Sequence, residues 1–380
     1  MKVICAPDSF KGSVTARAAA EAMAAGIRQV VPDAIIDCCP IADGGEGTLD
    51  ALTSAIPLER HRATVNGPLG ERTEALFGLS GDGQLAVVES AAAIGLGLVP
   101  EHARNPEVTS SYGVGELIRR ACHAGPRKII VAVGGSASND GGCGMAQALG
   151  IRFYDAKGKL IEQPLCGGKL LELSRIDASQ RLPELGNIEV LAACDVGNPL
   201  TGPQGAARVY AVQKGATGPQ VARLDKGLAH LSSLIRRDLD IAVDELPGSG
   251  AGGGLGGGLV AFTGAMIASG IDTVLEAVDF DRRVRSCDLC LTGEGRIDGQ
   301  SVFGKACMGV ATAADRHGVP TIALTGTAGP GAEQCLQAGL KDYIVIGDGL
   351  PLELSMQQAD ALIAEAAGRV AATFLRNAPA

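Results

Sequence analysis

Six times in this chain a glycine- or acid-rich loop follows an apolar strand-like run or opens a helix. In α/β folds that is where ligands collect. The loops cover residues 7–13, 42–48, 134–142, 194–199, 248–258 and 292–305. The first of them sits in a run of apolar strand (3–6), loop, alanine-rich helix (about 15–30) and second strand (34–39). That alternation builds a parallel sheet with crossover helices. The C-terminal region repeats it, with strands expected at 288–292, 321–324 and 343–346. A closing helix from about Ser355 places Ala359, Ile363, Ala366, Val370 and Phe374 on one face.

The middle of the chain follows another pattern. Residues 62–88 alternate apolar and polar side chains, broken at Asn66-Gly67-Pro68 and Gly81-Asp82-Gly83. Those breaks are hairpin signals and predict antiparallel strands. Strands follow at 128–133 and 188–193, then a helix carrying Leu224, Leu228, Leu231, Ile235 and Leu239 on one side. The fold class is therefore α/β, and the switch in pattern suggests one domain inserted into another, although nothing in the sequence itself pairs the two ends. The boundaries expected are 1–61 and 274–380 for a discontinuous parallel-sheet domain, and 62–273 for an inserted mixed α/β domain.

Composition narrows the function classes. A net charge of −9 and 3% aromatics leave neither a basic stripe nor stacking platforms, so no nucleic-acid partner is expected. The apolar run at the N-terminus is too short for a signal peptide, and no stretch matches a membrane span. Eleven cysteines without an export signal fit reduced thiols in the cytoplasm. Cys287 and Cys290 form a single C-x-x-C with no second pair, and the five histidines have no ligand spacing.

The loops carry the acids Asp8, Asp43, Glu46, Asp140, Asp195, Glu294 and Asp298, with the cations Lys11, Lys214, Arg296 and Lys305 in or near them. Phosphoryl transfer needs this mixture: cations and Mg²⁺ neutralise phosphate, and a carboxylate positions the attacking hydroxyl. Any one acid taken alone is more often a turn or helix cap. The segment Gly134-Gly135-Ser136-Ala137-Ser138-Asn139-Asp140-Gly141-Gly142 points to phosphate most directly, because successive N–H groups at a helix N-terminus cradle an anion. The bland alternative is that Asn139 or Asp140 caps the helix that follows. Two near-motifs fall short. Residues 299–305 fit G-x-x-x-x-G-K, but Ala306 stands where a P-loop has Ser or Thr. Gly252, Gly254 and Gly257 fit G-x-G-x-x-G without a convincing strand before them. Gly250-Ala251-Gly252-Gly253 resembles the Gly-Ala-Gly-Asp of ribokinase-like sugar kinases, with Gly253 in place of the base.

The general base is placed on Asp195, with Asp43 in reserve. Asp195 ends an apolar strand and is followed by Asn198-Pro199, which stiffens the loop. Turn capping is the alternative for Asp195. Asp43 and Glu46 are the expected contacts of a metal or its waters.

Taken in order, Ala6-Pro7-Asp8-Ser9-Phe10-Lys11, Ile41-Ala42-Asp43-Gly44-Gly45-Glu46-Gly47-Thr48, the 134–142 loop, Cys194-Asp195-Val196-Gly197-Asn198-Pro199-Leu200, Gln213-Lys214-Gly215-Ala216, Thr292-Gly293-Glu294-Gly295-Arg296-Ile297-Asp298 and Gly304-Lys305 resemble the bacterial glycerate kinase family. The resemblance spans nearly the whole chain. Its departures are Ser138, Gly197 and Ser301, each where Thr is usual or common, and Ala306-Cys307-Met308 in place of a Pro-containing turn. It implies a Rossmann-like domain made from both chain ends, an inserted domain, and an active site in the cleft between them. It also implies ATP and Mg²⁺ as cofactors, D-glycerate as acceptor and 2-phosphoglycerate as the usual product. Within that frame Asp195, Asp43 and Lys305 are the expected catalytic residues, with Lys305 stabilising the transferring phosphoryl group as the cleft closes. Asp8, Ser9, Lys11, Arg296 and Asp298 are expected to bind substrate. Gly134, Gly135, Ser136, Ser138, Asn139, Asp140, Gly252, Gly253 and Lys214 are expected to bind nucleotide. A kinase of another small hydroxy acid, a nicotinamide-dependent dehydrogenase and a non-enzymatic sensor of small anions are the competing readings. The sequence does not choose an oligomeric state.

Overall fold

The N-terminal strand Lys2–Pro7 pairs in parallel with Leu289–Ile297, Val3 lying against Leu289 and Pro7 against Gly293. The two chain ends therefore share one sheet. The structure is a computed structural model that describes every residue except Glu46, Gly304 and 378–380. Two units emerge, one formed by Met1–Asp43, Asp50–Pro57 and Ile271–Ala380, the other by Gly44–Leu49 and Leu58–Gly270.

In the first unit five parallel strands lie in the order Asp342–Val345, Thr321–Ala328, Leu289–Ile297, Lys2–Pro7, Ile35–Cys38. Chain order runs outward in both directions from the pair Lys2–Pro7 and Leu289–Ile297, which makes that pair the topological switch point of the sheet. Side chains alternate across the strands. Val3, Cys5, Leu289, Leu291 and Leu324 pack under the helices Ala16–Val30 and Ala359–Asn377. Ala323, on the other face, packs with Met308 and Ala311 of the helix Ala306–Asp315. Thr15 caps the first helix, its hydroxyl accepting from the Ala18 N–H. The closing helix expected from Ser355 is two helices, Leu352–Gln357 and Ala359–Asn377, because Gln358 (φ −109°, ψ 15°) leaves helical geometry. The strand expected to end at 292 runs on to Ile297, held by pairing of Glu294 with Thr325 and Arg296 with Thr327. Glu294 and Arg296 are thus strand residues rather than loop residues.

The second unit holds a six-stranded mixed sheet in the order Met266–Ala268, Glu189–Ala193, Lys128–Ala132, Leu85–Glu89, Arg72–Ser80, Leu58–Asn66. The first four strands are parallel, and the last two join them as antiparallel hairpins. This accounts for the alternating stretch and its two turn signals. Leu224, Leu228, Leu231 and Ile235 of the helix Gly218–Leu239 enter the same core. A two-stranded ribbon, Arg152–Asp155 with Leu173–Asp177, completes the unit. Among the described residues no helix is long and apolar enough to cross a membrane.

Candidate active site

In the second unit the loop after strand Lys128–Ala132 leads into the helix Cys143–Ala148. Asp140, fully buried, organises that loop. Its Oδ2 accepts from Ser111 N (2.8 Å), Ser111 Oγ (2.7 Å) and Gly144 N (3.2 Å), and its Oδ1 from Gly142 N (3.1 Å). The Ser111 hydroxyl accepts in turn from Met145 N at 2.9 Å. Burial raises the pKa of Asp140, and these donors pull it back. Internal donors engage both of its oxygens, which ties the loop to Ser111 and to the start of the helix Cys143–Ala148.

Lys214 faces the same loop and is 3% exposed. Its Nζ donates to the Ser138 carbonyl (2.6 Å) and the Ser136 hydroxyl (3.1 Å), and an ammonium group has three donors. Burial lowers its pKa to about 7, with the charge of Asp140 acting the other way. The second glycine loop closes on the first. Gly252, Gly253 and Gly254 have φ of 62°, 75° and 89°, so regular helix begins only after them. A Cβ at Gly253 would stand 2.1 Å from the Ser138 carbonyl oxygen and 3.0 Å from Lys214 Nζ. Only glycine fits there. The Ser136 hydroxyl donates to the Gly252 carbonyl at 3.0 Å. In these two loops Ser138 Oγ, both amide atoms of Asn139 and Ser249 Oγ are buried without a hydrogen-bond partner. Such groups are costly unless something binds them. Unsatisfied hydroxyls and an amide beside a buried lysine have the chemistry of an anion site.

Asp195, half-buried, follows the neighbouring strand Glu189–Ala193. Its Oδ1 accepts from Gly270 N (2.7 Å) and Ser269 Oγ (3.4 Å). The carboxylate therefore bonds the residues that follow the neighbouring strand Met266–Ala268.

In the first unit the acids gather at the switch point. Asp8 follows strand Lys2–Pro7, and its N–H donates to Gly293 O at 2.8 Å, setting it beside Glu294. Strand alternation puts Glu294 on the face of Thr292, whose hydroxyl donates to the Ala6 carbonyl and lies 3.7 Å from Cys307 Sγ. Both carboxyls thus face the first turn of the helix Ala306–Asp315, where Lys305 is the N-cap residue. Asp8 is 7% and Glu294 8% exposed. Burial, reinforced by the charge of Asp43, pushes Asp8 up to about 7. Burial also pushes Glu294 up to about 7; Lys305 and Lys11 oppose the shift, while Asp8 and Asp43 add to it.

Around this pair, Ser9 donates its N–H to Asp8 Oδ1 at 2.6 Å, and Lys11 is exposed. Arg296 Nε donates to Asp298 Oδ2 at 3.1 Å, and Lys305 Nζ lies 3.8 Å from Asp298 Oδ1. Burial pushes Asp298 up, but the Gln300 N–H, Lys305 and Arg296 outweigh it and hold the carboxyl below its ordinary value. Asp8, Ser9, Lys11, Asp43, Arg296, Asp298 and Lys305 thus fall within one unit. The nucleotide set, with Asp195, falls in the other. Glu46 lies outside the described residues, so the metal contact expected of it has no geometry here. Among the described residues no group of three or more His, Cys, Asp and Glu side chains is arranged to hold a metal ion.

The profile of the glycerate kinase family matches residues 3–375. The chain belongs to the glycerate kinase family. A glycerate kinase of Halalkalibacterium halodurans is 46% identical over 370 residues, 97% of each chain. A glycerate 2-kinase of Escherichia coli K12 is 46% identical over 327 residues, 86% of this chain and 85% of that one. The crystal structure of a Salmonella typhimurium LT2 protein designated glycerate kinase 2 superposes with a TM-score of 0.87 at 44% identity, covering 99% of this chain and 98% of that one. For this glycerate kinase family member, sequence reasoning left two residues without a role. Glu294 was visible only as one acid among seven, and Ser249 carried no signal beyond its place before Gly250.

Proposed function

We propose that the chain is an ATP-dependent glycerate kinase, moving the γ-phosphoryl group of ATP to a hydroxyl of D-glycerate to give 2-phosphoglycerate. The observation that carries the reading is the buried Lys214 amid the unpartnered hydroxyls and amide of two glycine loops. Gly134, Gly135, Ser136, Ser138, Asn139, Gly252, Gly253 and Lys214, with Ser249 added, hold nucleotide phosphates through N–H and side-chain donors. Asp43 is the described acid that would hold Mg²⁺ or its waters beside the nucleotide phosphates, a role that needs no all-protein cage. The ion supplies neutralisation of the phosphate charge. Lys11 and Arg296 offer cations for the glycerate carboxylate, with Asp8, Ser9 and Asp298 fixing their surroundings. Lys305, at a helix N-terminus, stabilises charge on the transferring group. All eleven cysteines are free thiols, which suits the reducing conditions of the cytoplasm.

A coupled ADP-release assay over a panel of short hydroxy acids tests the reading. Glycerate with MgATP is expected to give the highest kcat/KM. ADP release no higher with glycerate than without an acceptor would overturn it, and turnover confined to another acid would reassign the substrate.

A further inference from the structure

The described acids of the first unit include one buried carboxylate oxygen for which the fold supplies no donor. Glu294 Oε1 is inaccessible to solvent and has no hydrogen-bond partner, although the residue lies in a strand, one step beyond its last pair with Lys2–Pro7 and itself paired with Thr325. An unsatisfied carboxylate oxygen in the interior is costly, and a hydroxyl-bearing ligand would satisfy it. Its position makes the same point. Glu294 lies near the carboxyl end of its strand at the switch point of a parallel sheet, the ligand crevice of such folds. Its neighbour Asp8 differs in one respect, since Asp8 Oδ1 already accepts from the Ser9 N–H.

We propose that Glu294 is the general base of the reaction, accepting the proton of the attacking glycerate hydroxyl at Oε1. The inference rests on the glycerate kinase reading and replaces Asp195 in that role. The hydroxyl O–H bond breaks and its proton passes to Glu294. The new O–P bond forms to the γ-phosphorus. The bond from that phosphorus to the β,γ-bridging oxygen breaks, its electron pair leaving with ADP. Burial is what chiefly keeps Glu294 basic enough to take a proton near neutral pH, and Asp8 acts on Glu294 rather than on substrate, its neighbouring charge adding to that shift. The other groups that act on Glu294 are Asp43, Lys11 and Lys305, and Glu294 in turn raises the thiols of Cys307 and Cys335.

The test compares the wild-type protein with Glu294→Gln and Glu294→Asp. Wild-type turnover of glycerate, measured first, establishes the underlying reading independently. Glu294→Gln is then expected to lose about 10²- to 10⁴-fold in kcat, the usual share of acid–base catalysis, with ATP affinity unchanged in a fluorescent-nucleotide titration. Glu294→Asp, which keeps a base on a shorter stem, should retain more activity than Glu294→Gln. The kcat/KM of wild type should fall as the pH drops below about 7, and that limb should flatten in Glu294→Gln. A folded Glu294→Gln within about threefold of wild-type kcat, or one that keeps the acid limb, would overturn the proposal. So would equal losses in Glu294→Gln and Glu294→Asp.

Discussion

Lys214 Nζ lies 2.6 Å from the carbonyl oxygen of Ser138, and its two hydrogen-bond acceptors are both uncharged. A lysine held this way is under-compensated until an anion arrives. Lys214→Met should weaken ATP binding about 10- to 100-fold, the worth of one charge-assisted hydrogen bond. The variant should also be no less stable than wild type at pH 7. With a folded pKa lowered from 10.5 to about 7, the unfolded state holds more protons between those values. The lysine therefore costs stability that returns only as pH rises through that window. Calorimetric ATP titrations and thermal melts check both halves; an unchanged ATP affinity would remove Lys214 from the phosphate site.

Asp140 is expected to behave in the opposite way. Asp140→Ala leaves the N–H groups of Ser111, Gly142 and Gly144 and the Ser111 hydroxyl without their acceptor. The expected loss is about 3 kcal/mol of folding stability, read by urea unfolding. Stability within about 0.5 kcal/mol of wild type, the range of an ordinary surface change, would mean that the loop does not depend on this cap.

Each end of the chain was legible as parallel-sheet strands because short apolar runs followed by glycine turns leave few other folds, whereas their sharing of one sheet followed only from the family resemblance. The hairpins were legible for a similar reason, in the Asn66-Gly67-Pro68 and Gly81-Asp82-Gly83 breaks. The glycine loop was readable from the sequence, but Lys214 was visible only as one of four cations, because it sits 74 residues beyond Asp140 (214 − 140) and only folding brings it to that loop. The roles of single acids were not legible. Asp140, Asp195 and Glu294 all follow or end apolar runs, and what separates them is the donors that reach each carboxylate. Those donors come from Ser111, Gly142 and Gly144 at Asp140 and from Ser269 and Gly270 at Asp195. Such partners lie far away in sequence, and no local pattern encodes them.

Asp195→Asn separates the cap from the base. The amide oxygen can still accept from the Gly270 N–H, so the fold should persist. If Asp195 acts through that hydrogen bond, kcat should fall less than about tenfold, against the 10²- to 10⁴-fold loss expected of a general base. Steady-state kinetics with glycerate decide, and a loss in the larger range would return the base to Asp195.

Asp8 should make the protein less stable as the solution moves from acid to neutral pH. Its folded pKa is raised from 3.8 to about 7, so the native state binds more protons than the unfolded state between those values. Its contribution to stability therefore falls as pH rises from about 4 to about 7 and stays low above that. Asp8→Asn removes the penalty and should raise stability by roughly 2–4 kcal/mol at pH 8, with less gain at pH 5. Denaturant unfolding at the two pH values checks the sign; a variant less stable at pH 8 would show that the Asp8 charge is well compensated.

The central claim is tested most directly by following the γ-phosphoryl group itself. Wild-type protein is incubated with D-glycerate and MgATP, and the product is identified by ³¹P and ¹H NMR. The expected result is stoichiometric ADP and a phosphate ester on the C2 oxygen of glycerate, with little inorganic phosphate. ATP left intact, or hydrolysed to inorganic phosphate with glycerate unmodified, would contradict the assignment of this chain as a glycerate kinase.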